Sequence, residues 1–159
     1  MQTILLDSSF LFPYIQIDVK SVNNEDLLEL IESRENNIII SDISLFELSA
    51  KGNKYIQKSN INPNDLTDGL NTIINENQLT RIPIHYSEIQ ILAFKIGKLH
   101  KDFIDCLILA TAFYNSDVFL TLDDELFTLV QKFGKELDID KLQIIHWNDF
   151  IKNRTFNHH

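Results

Sequence analysis

Five short apolar runs punctuate this 159-residue chain, and sequence of helical character separates each from the next. The runs are Thr3–Leu6, Ile38–Ile40, Leu79–Ile84, Val118–Leu122 and Leu142–His146. They are too short for helices and several are β-branched, so they read as strands buried on both faces, the habit of parallel sheets. Between them, Asn24–Arg34 sets Leu27, Leu28, Leu30 and Ile31 among charges, and Leu66, Leu70, Ile73 and Ile74 recur at helical spacing after Pro63. Ile89, Leu92, Ala93 and Ile96 form one face of a helix over Ser87–Leu99, with Ile91 and Phe94 off that face. Asp102–Tyr114 is apolar nearly all round, as a central buried helix would be. Other helices are expected briefly after Ser8, with a loop through Pro13; from a cap at Ser41 or Asp42 to about Ala50, where Gly52-Asn53 would break it; over Asp124–Phe133; and over Trp147–Lys152. Strands alternating with helices predict an α/β fold, a three-layer α/β/α sandwich around a mainly parallel central sheet. The length suits one domain, and Gly and Pro are too scarce for long linkers. A single domain over residues 1–152 and a short tail over 153–159 are expected.

Four acids end or interrupt apolar runs. Asp7 closes ILL, Glu47 lies within ISLFELSA, Asp105 within FIDCLILATA, and Asp123 closes VFLTL. A carboxylate at the edge of a core costs several kcal/mol, on the order of the price of any buried charge, unless something compensates it. No run contains a Lys or Arg. Four such acids without an adjacent counter-charge suggest a divalent metal, and a metal held by carboxylates suggests phosphoryl chemistry. Asp7 and Asp123 each follow a strand, and ligands of open α/β sheets bind beyond the carboxyl ends of strands. Glu47 falls four residues after Ile43 and three before Ala50, on their helical stripe. Each acid also has a purely structural use. Asp7 would cap the following turn, Asp105 would pair with Asp102 at a helix start, and Asp123 or Asp124 would be an N-cap.

The net charge of −9 argues against broad, non-specific nucleic-acid binding, which depends on Lys and Arg. Local basic patches remain: Lys51, Lys54 and Lys58 share helical spacing, as do Lys95, Lys98 and Lys101. Either set would meet phosphates or simply face solvent. No apolar run approaches the ~20 residues of a membrane span. The opening MQTILLDSSF lacks the basic region of a signal peptide, so a cytoplasmic protein is expected. The single Cys106, set among Leu107, Ile108 and Leu109, reads as a small buried hydrophobe. His85, His100 and His146 are dispersed and form no zinc pattern; each reads as structural or surface.

In sequence order, ILLDSSFL, ISDISLFELSA and DCLILATAFYNSDVFLTLDDEL resemble the motifs of the PIN-domain family over about residues 3–150. The pattern is a strand then Asp and a hydroxyl residue, a helix carrying an inward Glu, then Asp with Ala-Thr-Ala on a helix and a strand ending in Thr-x-Asp. The short form is similar to VapC-type toxins and stand-alone PIN proteins. The resemblance implies a metal-dependent ribonuclease using Mg²⁺ or Mn²⁺, with Asp7, Glu47, Asp105 and Asp123 as the acidic quartet. Of these, Asp7, Glu47 and Asp105 would be the first metal ligands, and Asp123 would complete a second or outer site. Ser8 matches the assisting hydroxyl, Thr121 matches the Thr of Thr-x-Asp, and Asp102 and Glu125 are auxiliary acids. Ser9 stands where the family often has Asn. Lys51, Lys54, Lys98 and Lys101 are candidate substrate contacts. RNA is the implied substrate and a homodimer the expected state. Whether a cognate antitoxin exists stays open.

A rival class is a non-catalytic PIN-like module that binds protein or RNA; the intact quartet argues against it. A phosphatase of the haloacid-dehalogenase type also begins with Asp after a strand, but it needs a second Asp where Ser9 stands. A receiver domain would need a Lys after the last strands, and none fits.

Overall fold

The structure, a computed structural model, describes residues 1–155. Its centre is a five-stranded, wholly parallel sheet in the order β3-β2-β1-β4-β5. The strands are β1 (Gln2–Leu6), β2 (Asn36–Ser41), β3 (Leu79–Ile82), β4 (Val118–Thr121) and β5 (Gln143–His146). The helices are α1 (Asn24–Glu32), α2 (Ile43–Gln57), α3 (Pro63–Asn75), α4 (Ser87–Ile96), α5 (Phe103–Asn115), α6 (Asp124–Phe133) and α7 (Trp147–Thr155). A 3₁₀ helix, Ser8–Ile15, follows β1. The expected α/β/α sandwich is therefore the fold found.

The side-chain alternation of the strands builds the layers. Ile4, Leu6, Ile38, Ile40, Val118 and Leu120 join one core with the 3₁₀ helix, α1, α2, α3 and Trp147. Leu5, Ile39, Phe119 and Ile144 join another with α4, α5 and α6. β1 is central and buried on both faces, which explains why Ile4, Leu5 and Leu6 are all apolar. The chain runs outward from β1 through β2 to β3, then crosses to β4 and β5. The strand order thus reverses between the carboxyl ends of β1 and β4, where Asp7 and Asp123 emerge.

Several boundaries differ from expectation for local reasons. Helix α2 passes through Gly52-Asn53 to Gln57 instead of stopping near Ala50. Gly52 is buried where α3 crosses, and a Cβ there would stand 2.5 Å from Leu66 Cδ1, so this glycine permits a close crossing and does not break the helix. The turn after Ser8 continues through Pro13 to Ile15 and ends at Gln16 in the left-handed region. Asp42 occupies the N-cap position of α2 without capping it; its carboxylate instead accepts from Ile84 N at 3.1 Å. β3 ends at Ile82, before Pro83, and α4 ends at Ile96, before Gly97. Helix α7 continues past Lys152 to Thr155, while His158 and His159 lie outside the described residues. Cys106 is fully buried in α5, as expected. Among the described residues, no helix is long and apolar enough to cross a membrane.

Candidate active site

A cleft of about 920 Å³ opens at the strand-order reversal. Asp7, Glu47, Asp105 and Asp123 all line it, each delivered by a different element. Asp7 ends β1 and is only 7% exposed. Its Oδ1 accepts from Ser8 N at 2.7 Å and its Oδ2 from Thr121 Oγ1 at 2.7 Å. Asp123 follows β4, and its Oδ1 accepts from Glu125 N at 2.6 Å and Leu126 N at 3.2 Å. Asp123 is therefore both a helix N-cap and a wall of the cleft; the two uses are compatible.

Asp105 lies in the first turn of α5, and its Oδ2 is 2.9 Å from His100 Nε2. Glu47 projects from α2 beside the buried stripe of Ser44, Leu48 and Gly52. The stripe expected from Ile43 and Ala50 is not the buried one: Ala50 is exposed and Ile43 half-buried, because α2 packs on α3 through Gly52. Glu47 Oε2 is nevertheless buried and has no hydrogen-bond partner among the described residues.

Burial first, and then the charges of Asp105 and Glu47, raise the Asp7 carboxyl to about 7 against the pull of the Thr121 hydrogen bond. Burial likewise raises Asp105 to about 6, opposed by the bond to His100. Desolvation, more than the mutual repulsion of the acids, makes these carboxylates costly to ionise.

The auxiliary residues divide. Asp102 lines the cleft and caps α5, accepting from Ile104 N at 2.9 Å, and Glu125 lines the cleft from α6. Thr121 is fully buried beneath it, holding Asp7 and accepting from Asp123 N at 2.9 Å. Ser8 turns its hydroxyl to Ser44 Oγ at 2.9 Å, whereas Ser9 lines the cleft with a buried Oγ that has no partner among the described residues. Lys51 and Lys101 line the cleft; Lys54 and Lys98 are exposed outside its lining. Lys51 Nζ rests 5.1 Å from the centre of the Phe12 ring.

His100 is the lining residue that sequence reasoning set aside. Its signal was present: it precedes Asp105 by five residues, at the corner before the α5 cap. Only the fold of that corner turns the ring back onto the carboxylate.

The PIN domain family model matches residues 4–132, a span that includes all four acids. The chain belongs to the PIN domain family. Among solved structures, this PIN domain is similar to a chain of the VapBC2 complex from Rickettsia felis bound to a DNA fragment from their promoter, with TM-score 0.59 and 18% identity over 91% of this chain and 98% of that one. It is also similar to a chain of a toxin–antitoxin complex from Klebsiella pneumoniae, with TM-score 0.51 and 19% identity over 78% of this chain and 89% of that one. At such identities the likeness is one of fold. No curated protein matches the chain significantly.

PIN domains generally use divalent metals, and the residues present suit one. The donors around the cleft are carboxylate oxygens, the choice of a hard cation, and Glu47 Oε2 is a buried acceptor with nothing to accept from. Among the described residues, no three His, Cys, Asp or Glu side chains already converge as ligands; the acids ring the cleft. An ion that keeps several of its waters needs only a few of them directly.

Proposed function

We propose that this PIN domain is an endoribonuclease of the VapC toxin type, hydrolysing RNA phosphodiester bonds with Mg²⁺ or Mn²⁺. The observation that carries the reading is the meeting of four carboxylates from four elements in one cleft, with Glu47 Oε2 buried and unpartnered. Asp7, Glu47 and Asp105 would hold the ion, with Asp123 at an outer position. A divalent ion, when bound, supplies the Lewis acidity and positive charge that phosphodiester hydrolysis requires.

The chain's own groups prepare that place. Thr121 and the Ser8 amide fix the plane of Asp7, and the first amides of α6 fix Asp123. Lys51 and Lys101, on the rim of an otherwise acidic cleft, meet the phosphates of the entering strand. The names of the two similar structures, one a VapBC2 complex and the other a toxin–antitoxin complex, support a cognate antitoxin as partner. The exposed Ile91 and Phe94 of α4 suit a second copy of the chain; a monomeric mass at micromolar concentration would count against the homodimer.

The test is cleavage of a mixed RNA pool with Mn²⁺ or Mg²⁺ by wild type, Asp7→Asn and Asp105→Asn, each first shown to be folded by thermal melting. Metal-dependent cleavage by wild type, lost in both variants, is expected. Equal cleavage by all three would mean a contaminating nuclease, and the site assignment would fall.

A further inference from the structure

The carboxylates of the cleft are not held alike. Asp7 has both oxygens fixed, one by an amide and one by a hydroxyl. Asp123 is fixed by two amides of α6. Among the described residues, Asp105 has a single side-chain partner, His100 Nε2 at 2.9 Å from Oδ2. His100 is itself set firmly: its side chain is 10% exposed, and its backbone N–H donates to Ile96 O at 3.0 Å, closing the corner after α4. The ring belongs to the cleft lining, although no step of the hydrolysis uses it.

We infer that His100 is a positioning residue for Asp105: its ring N–H holds Oδ2 and leaves Oδ1 as the oxygen offered to a divalent cation. The inference rests on the reading that Asp105 helps to hold that cation. An ionised carboxylate has no proton to give, so Nε2 is the donor when the cation is present. A carboxylate without this bond samples several orientations about its side-chain torsions, and ordering it on binding costs affinity. Groups that orient a metal's ligands are commonly worth about 10- to 100-fold in metal affinity.

The test is titration calorimetry of Mn²⁺ alone, without RNA, on wild type, His100→Gln and His100→Asn. The Gln amide reaches the place of Nε2; the Asn amide falls short of it. Both substitutions are polar at a partly exposed corner, and circular dichroism establishes that each variant is folded. We expect Mn²⁺ affinity close to wild type for His100→Gln and about 10- to 100-fold weaker for His100→Asn. Wild-type affinity in His100→Asn overturns the inference, as does equal loss in both variants, which would assign the effect to packing of the ring. Either result leaves the ribonuclease reading standing if wild type binds Mn²⁺ and Asp105→Asn does not. Failure of wild type itself to bind Mn²⁺ would bring down both.

Discussion

Thr121 and Asp7, 114 residues apart in sequence, are joined across the seam between β1 and β4 by a 2.7 Å hydrogen bond from Thr121 Oγ1 to Asp7 Oδ2. The same hydroxyl oxygen accepts from Asp123 N at 2.9 Å. One buried side chain thus ties together the two acids that emerge at the strand-order reversal. Thr121→Val keeps the shape and removes both bonds. A hydrogen bond to a charged group is worth about 1.5–3 kcal/mol, so a loss in that range is expected at pH 8, together with weaker Mn²⁺ binding. Urea unfolding and calorimetry read the two effects separately; unchanged values in both would show that the hydroxyl contributes nothing to either.

The raised carboxyls make the metal-free protein sensitive to pH. Asp7, at about 7, and Asp105, at about 6, both titrate above their ordinary 3.8. Between these limits the folded state binds more protons than the unfolded chain, so stability falls as pH rises. The contribution is complete below pH 3.8 and is lost as pH passes through about 6 and then about 7. For Asp7 it is on the order of a few kcal/mol. In EDTA, the melting temperature of wild type relative to Asp7→Asn should therefore decline from pH 5 to pH 8. Metal-dependent cleavage should run the other way, weakening as pH falls through about 7 and then about 6 and protonated acids cease to hold the cation. A difference between the two proteins that does not vary with pH would contradict the burial of Asp7.

Periodicity alone was enough to read the sandwich and its layers, because strands buried on both faces and helices buried on one leave different patterns. The four acids were legible for a similar reason: Asp7 and Asp123 interrupt apolar runs where strands end. The less visible parts depend on contacts between distant segments. Gly52 looks like a helix breaker until Leu66 of α3 is placed against it. Ser8 looks like the hydroxyl of the site until Ser44 is found to take it, leaving Ser9 at the cleft. His100 has no pattern of its own and acquires meaning only from the turn between α4 and α5.

Lys51 stands in a cleft lined by seven carboxylates, yet its Nζ rests over the face of Phe12. A cation kept on an aromatic ring stays available to an incoming polyanion. Lys51→Met should weaken binding of single-stranded RNA in EDTA, where cleavage is blocked. It should also lower the slope of log K against log salt by ~0.7, the share of one phosphate contact. Lys51→Arg should keep most of the slope. Lys54→Met, outside the cleft lining, should change it less. An unchanged slope for Lys51→Met would remove Lys51 from the substrate path.

Gly69 tests the frame on which the cleft is built. It lies in α3 against the end of the 3₁₀ helix that follows Asp7, and a Cβ there would stand 2.1 Å from Tyr14 O and 3.1 Å from Ile15 Cγ2. The obstructing atom is backbone, so it cannot rotate aside as a side chain would. Gly69→Ala must push α3 away from the segment Ser8–Ile15 or distort that segment. Overpacking of this kind costs about 1–3 kcal/mol, which corresponds to a fall in melting temperature of roughly 2–4 °C for each kcal/mol in a chain of this size. The gain in helix propensity from Gly to Ala, about 1 kcal/mol, acts in the opposite direction and should not prevail. Denaturant unfolding measures the balance. A Gly69→Ala protein as stable as wild type would show that α3 does not approach the 3₁₀ helix this closely, and would loosen the placement of Phe12 beneath Lys51.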